Sequence, residues 1–182
     1  MENAKKPLVG ILMGSDSDLE TMVHCAKMLE RFEVPYEIRI VSAHRSPQKA
    51  GEYIRTVVDR GIEAVICAAG MAAHLAGVIA AETVIPVICV PLAGSSLAGL
   101  DALYSIVQMP PGIPVATMAI GIPGAKNAAI MAAEILAIKD PSLREKLLSH
   151  KKEMADEVET KDSLLQRIGY AEYLEKKRKK EI

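Results

Sequence analysis

Ala64-Val65-Ile66-Cys67-Ala68, followed at once by Ala69-Gly70-Met71-Ala72-Ala73-His74-Leu75-Ala76-Gly77, decides how the 182-residue chain is read. The first five residues are apolar without alternation, as in a strand covered on both faces, and the small residues after them lead into a helix-length segment. The same succession recurs at residues 8–13, 36–41, 85–90 and 114–120. Five β-α units in residues 1–138 predict an α/β fold, a flavodoxin-like three-layer α/β/α sandwich with a central parallel sheet. Helix starts are expected at Ser17, where Glu20 completes a capping box, and at Ser46, where Pro47 takes the first helical position.

Composition narrows what such a domain can do. The chain carries 22 Lys+Arg against 23 Asp+Glu, and aromatics are 3% with no Trp. Proteins that bind nucleic acid or membrane surfaces normally need excess basic charge, and base-stacking platforms need aromatic rings, so neither class fits. No apolar run reaches the roughly 18 residues of a membrane span. Residues 1–7 lack the apolar core of a signal peptide, and a cytoplasmic protein is expected. Cys25, Cys67 and Cys89 show no CxxC spacing and read as buried reduced thiols.

Charge is spread unevenly. Residues 139–182 hold 12 of the Lys+Arg and 10 of the Asp+Glu, with Leu143, Leu147, Leu148, Leu164, Leu165 and Ile168 recurring near helical spacing. They predict a charged C-terminal helical extension of the domain formed by residues 1–138. Segments 72–81 and 125–138 are apolar on nearly every side and need cover beyond their own sheet. They predict a homo-oligomer with both helices in subunit contacts; a helix buried inside one subunit is the alternative.

Ligands of open parallel sheets bind beyond the carboxyl ends of the strands. Those ends are followed by Gly14-Ser15-Asp16-Ser17-Asp18, Ser42-Ala43-His44-Arg45-Ser46-Pro47, the stretch from Ala69 to Gly77, and Pro91-Leu92-Ala93-Gly94-Ser95-Ser96-Leu97-Ala98-Gly99. Small residues admit a ligand to the backbone, while serine hydroxyls, helix N–H groups and Arg45 suit a phosphate. Asp18 suits sugar hydroxyls better than phosphate. For Ser17 and Asp18 helix capping alone is an open alternative. His44, beside Arg45 in a loop, is a candidate for proton transfer, with a structural role as its alternative. His74, near the start of an apolar segment, reads on its surroundings as a buried structural histidine. His24 and His150 carry no signal.

Several motifs fail on spacing. Gly121-Ile122-Pro123-Gly124-Ala125-Lys126-Asn127 lacks the four residues between glycines, and the Ser or Thr after Lys, of a phosphate loop. The third strand ends in Ala68-Ala69-Gly70 without the acceptor aspartate of a phospho-receiver. No Gly-x-Gly-x-x-Gly follows the first strand, and no spacing of His, Cys and carboxylates suggests a metal.

Four motifs together, Gly14 to Asp18, Ser42 to Pro47, Ala72-Ala73-His74-Leu75, and Gly99-Leu100-Asp101-Ala102-Leu103-Tyr104-Ser105-Ile106-Val107-Gln108-Met109-Pro110, resemble the N5-carboxyaminoimidazole ribonucleotide mutase family of purine biosynthesis, in order over residues 8–138. The resemblance implies a homo-octamer, a small-molecule ribonucleotide substrate, and no metal or organic cofactor. It implies a carboxylate moved from the exocyclic nitrogen to carbon 4 of the imidazole, through aminoimidazole ribonucleotide and trapped carbon dioxide. His44 is then the proton-transfer residue. Ser15, Ser17 and Asp18 fall in the substrate-binding loop, Ser42 and Arg45 on the phosphate side, and Gly70, Ala72, His74 and Leu75 in the loop enclosing the reacting carboxylate. Retaining carbon dioxide calls for a small pocket with few polar groups, and Ala72, Ala73 and Leu75 are expected as its walls.

The chain departs from the pattern at Met71, where the family commonly has Gly, at Ala76, where it has Pro, and in loop 93–96. One alternative is the related carboxylase class, which takes carbon dioxide directly; it typically shows Lys where Arg45 stands and lacks the Ala-Ala-His-Leu signature. The other is a non-catalytic nucleotide-binding module, which would have no use for His44.

Overall fold

In a computed structural model, residues 6–182 are described; all but Lys6 and Pro7 of the N-terminal segment 1–7 lies outside them. Five parallel strands, β1 (Val9–Met13), β2 (Tyr36–Ile40), β3 (Ala64–Gly70), β4 (Val87–Leu92) and β5 (Ala116–Thr117), form one sheet in the order β2-β1-β3-β4-β5. β1, β3 and β4 are the unalternating apolar runs and occupy the centre; β2, expected among them, instead alternates, with Glu37 and Arg39 between its apolar residues, as suits its place at the sheet edge. β3 is paired on both sides, Val9 with Ala64 and Cys67 with Cys89.

Helices cover both faces. Leu12, Val65, Cys67, Ala69 and Cys89 share a core with α2 (Pro47–Thr56), α3 (Leu75–Ala81) and α4 (Leu100–Val107), while α1 (Leu19–Arg31) and α5 (Ile122–Leu136) pack on each other, with α5 against β3 and β4. This is the expected flavodoxin-like sandwich. The three cysteines are buried and unpaired, and burial pushes the Cys25 and Cys89 thiols up to about 12.

Local differences from the sequence reading have physical causes. The capping box belongs to Ser15 and Asp18, because a short 3₁₀ turn, Asp16–Asp18, precedes α1 and moves the first unpaired N–H groups back one turn; Ser17 and Glu20 do not form it. Ser46 does stand before Pro47 at the start of α2, but its hydroxyl accepts from the Ser42 N–H (3.1 Å) and donates to the Ser42 carbonyl (3.2 Å) instead of capping the helix. β5 shrinks from residues 114–120 to two residues, since as an edge strand it pairs only with β4; Met118 and Gly121 N–H groups still donate to Cys89 and Pro91 carbonyls.

α5 explains its own apolarity. Ala125, Ala128, Ala129, Ala132 and Ala133 are fully buried within the chain, and a Cβ at Gly124 would stand 1.6 Å from the Ala119 oxygen. Its own chain thus covers the alanine face of this helix, with α1 and the sheet as its neighbours. Uncovered apolar surface includes Ile122 and Ile138 at the two ends of this segment and, on and before α4, Leu97, Leu100, Tyr104 and Val107, each of these four about half exposed or more.

Residues Met1–Leu143 and Arg144–Ile182 are separate compact units. The second continues α6 (Pro141–Arg178), broken at Gly169 where φ is 76°, and carries i,i+4 ion pairs such as Glu172–Lys176 and Glu175–Lys179. No helix among the described residues is long and apolar enough to cross a membrane.

Candidate active site

The chain passes from β1 to β2 on one side and then to β3 on the other, so the sheet's switch point lies between the carboxyl ends of β1 and β3. A cavity of about 520 Å³ opens there, within the usual range for small-molecule sites. Ten of the residues expected at the site line it: Ser15, Ser17 and Asp18 after β1, Ser42, His44 and Arg45 after β2, and Gly70, Ala72, His74 and Leu75 at and after the end of β3. Among the further lining residues are Gly14, Ala43, Met71, Leu92 and Gly94.

The polar side is tied together by its own hydrogen bonds. The Ser42 hydroxyl accepts from the Arg45 N–H at 3.1 Å, and the Arg45 guanidinium donates to the Gly14 carbonyl at 2.6 Å, joining the loops after β1 and β2. Asp18 accepts from the Ser15 N–H at 3.1 Å and thus caps as well as lines the cavity. Burial holds the Asp18 carboxyl above its ordinary value of 3.8, against the Ser15 and Gly14 N–H groups, the Ser17 hydroxyl and the charge of Arg45. A guanidinium has more donors than these contacts use, which suits a further anionic partner.

His44 and His74, 30 residues apart, meet at the junction of the two sides. Their Nε2 and Nδ1 atoms are 2.7 Å apart, with the rings edge to face at 84°. At that distance one nitrogen donates and the other accepts, so a single proton lies between the two rings. His74 is exposed, contrary to the buried reading, because it stands at the last position before α3.

The opposite side is apolar. Leu75 and Leu92 are buried, 3% and 5% exposed, with Ala72 and Gly70 between the strands and solvent. Ala73, expected as a wall, is instead 3% exposed in the core shared with α2 and α3 and does not line the cavity; the side chains of adjacent residues entering a helix point in different directions. Leu92 at the end of β4 and Gly94 in the loop after it reach the cavity, and the Ser95 hydroxyl caps its own turn through the Leu97 N–H at 3.0 Å. Among the described residues no group of three or more His, Cys, Asp or Glu is arranged to hold a metal ion.

Comparison with known proteins gives this geometry a family. The AIR carboxylase family model matches residues 8–157. The N5-carboxyaminoimidazole ribonucleotide mutase of Pyrococcus horikoshii is 56% identical over 171 residues, 94% of this chain and 96% of its own. A phosphoribosylaminoimidazole carboxylase of Candida glabrata is 50% identical over 176 residues, 97% of this chain but 30% of its own. The crystal structure of Treponema denticola PurE superposes with a TM-score of 0.79 at 33% identity, over 87% of this chain and 98% of that one. The chain belongs to the AIR carboxylase family.

Proposed function

We propose that the protein is an N5-carboxyaminoimidazole ribonucleotide mutase of purine biosynthesis, moving the substrate's carboxylate from the exocyclic nitrogen to carbon 4 of the imidazole. The observation that carries this reading is a histidine, His44, at the junction of a hydroxyl-and-cation side and an apolar side of one cavity.

The chemistry divides along that junction. Arg45 and the Ser42 hydroxyl take the phosphate, and Asp18 with Ser15 and Ser17 takes the ribose. As the N–C bond breaks, its electron pair stays on nitrogen, which gains a proton from His44, and carbon dioxide is released beside Gly70, Ala72, His74 and Leu75. The ring carbon attacks it, the new C–C bond forms, and the ring proton passes to His44. One imidazole that gives and then takes a proton suffices at neutral pH. Confinement makes the recombination effectively unimolecular. No metal or organic cofactor has a step to perform in this route.

Mutase relatives match end to end, whereas the yeast carboxylase matches over less than a third of its length, which favours the mutase over the carboxylase reading. We further infer a cytoplasmic homo-octamer, with the exposed apolar residues of α4 in subunit contacts. Residues 1–138 carry the chemistry and residues 139–182 are a helical extension of the same domain.

Substrate labelled with carbon-13 in the nitrogen-bound carboxylate, turned over without ATP and with excess unlabelled bicarbonate, tests the reaction. Label at ring carbon 4 is the expected result. Product with only unlabelled carboxylate would indicate a direct carboxylase, and no product would indicate a binding module. A monomer in sedimentation would defeat the assembly.

A further inference from the structure

Among the described residues four that are not glycine hold a positive φ: Glu33, Met71, Ala98 and Lys180. Of these, only Met71, at φ 55°, lines the cavity. The left-handed region brings a Cβ against the neighbouring carbonyl oxygen, so glycine would hold this backbone with less strain. The strained residue lies directly between Gly70, which ends β3, and Ala72, which lines the apolar side.

Met71 also stands out by exposure. It is 62% exposed while lining the cavity, which places its side chain at the rim; Leu75 and Leu92 are buried and form the interior. Gly70 and Ala72 on either side of it supply no comparable bulk. An unbranched thioether has the flexibility to cover an irregular opening and offers water little to bind.

We propose that Met71 is the retaining residue of the site: its side chain closes the rim of the apolar side and decides how much released carbon dioxide is recaptured before it exchanges with solvent. The inference rests on the mutase reading. Carbon dioxide is uncharged and held by no ion pair, so between breaking the N–C bond and forming the C–C bond its retention depends on walls and on exclusion of water. Closing the rim with a side chain at a position that favours glycine trades local strain for retention, a combination found at functional sites.

The test uses the full chain as wild type, Met71→Gly and Met71→Leu, with substrate carbon-13-labelled in its nitrogen-bound carboxylate and excess unlabelled bicarbonate. The fraction of product with unlabelled carboxylate at carbon 4 is expected to rise several-fold in Met71→Gly, although the melting temperature rises as strain is relieved. Met71→Leu, which keeps apolar bulk, is expected to retain label as wild type does. Equal label retention in wild type and Met71→Gly would overturn the role of Met71 and leave the mutase reading standing, as would loss of label by Met71→Leu to the extent seen for glycine. Wild-type product carrying only unlabelled carboxylate would overturn the mutase reading itself, and the inference with it.

Discussion

The two sides of the cavity are built on different principles. The loops after β1 and β2 present hydroxyls and charges; Arg45 donates to the Gly14 carbonyl across the two loops and to the Ser42 hydroxyl within its own. The loop after β3 and the end of β4 present Gly70, Ala72, Leu75 and Leu92, fixed by the core beneath, with a strained methionine at the rim. A polar wall whose donors are already oriented recognises a charged ligand without much reorganisation. An apolar wall recognises nothing in particular and serves to keep water away from what is released beside it. On the proposed reading the polar wall binds and the apolar wall confines, and His44, on the polar side but in contact with His74 of the other, is the group where the two meet.

If that division holds, substitutions at the junction and on the polar wall should fail in different ways. His44→Asn keeps a polar side chain of similar reach and removes proton transfer. Its turnover is expected to fall by about 10²-fold or more, the scale for losing a general acid-base group, with substrate affinity largely intact. Single-turnover kinetics together with equilibrium binding would read both quantities. Undiminished turnover would remove His44 from the chemistry and erase the junction.

Arg45→Ala should do the reverse, weakening binding by about 1.5–3 kcal/mol, the worth of a charge-assisted hydrogen bond, while bound substrate still reacts. The loss should vanish for dephosphorylated substrate. Equal affinity of the wild type for the phosphorylated and dephosphorylated forms would show that Arg45 serves only to tie Gly14 to the loop after β2.

Much of this was legible in the chain before folding, for reasons that differ between the walls. Strands covered on both faces must be continuously apolar, so β1, β3 and β4 announced themselves, and the rule that ligands sit past their carboxyl ends pointed to Ser15, Asp18, Ser42, His44 and Arg45. Contacts across loops were not legible. Nothing in the spacing of His44 and His74 says that β1 to β3 brings them together, and an apolar neighbourhood suggested burial for a histidine that stands exposed at a helix start. The same applies to Ala72 and Ala73, one lining and one core, since their fates depend on the residue at which α3 begins. For α5 the apolar composition says only that the helix needs cover beyond its own sheet; that α1 of the same chain supplies cover for its alanine face is a long-range contact the spacing does not reveal.

His74 tests whether the apolar side contributes to proton transfer only by holding His44. His74→Asn removes a ring nitrogen 2.7 Å from His44 but leaves the polar wall untouched. Turnover should fall by a smaller factor than for His44→Asn, with little change in affinity, and Gln at the same position should recover part of it by restoring reach. A loss equal to that of His44→Asn, without rescue by Gln, would make the two histidines a single catalytic unit instead of a proton-transfer group and its support.

The smallest expected effect is on the stability of the polar wall. Burial holds the Asp18 carboxyl above 3.8, outweighing the N–H groups, hydroxyl and cation around it. A carboxyl with a raised folded-state pKa binds its proton more tightly folded than unfolded, so its contribution to stability is full below its unfolded value and is lost as pH rises through the folded one. At neutral pH the ionised Asp18 therefore disfavours the fold, a cost carried for a carboxylate that can accept from sugar hydroxyls. Asp18→Asn removes the titration and keeps an oxygen for the Ser15 N–H. Its melting temperature is expected to exceed that of the wild type near neutral pH, the difference closing toward about pH 4, while substrate affinity falls because an amide is the weaker acceptor. Thermal denaturation across that range decides the matter: an Asn variant less stable than wild type at neutral pH would mean that the Ser15 N–H and Arg45 outweigh burial, and that the polar wall carries no cost for its charge.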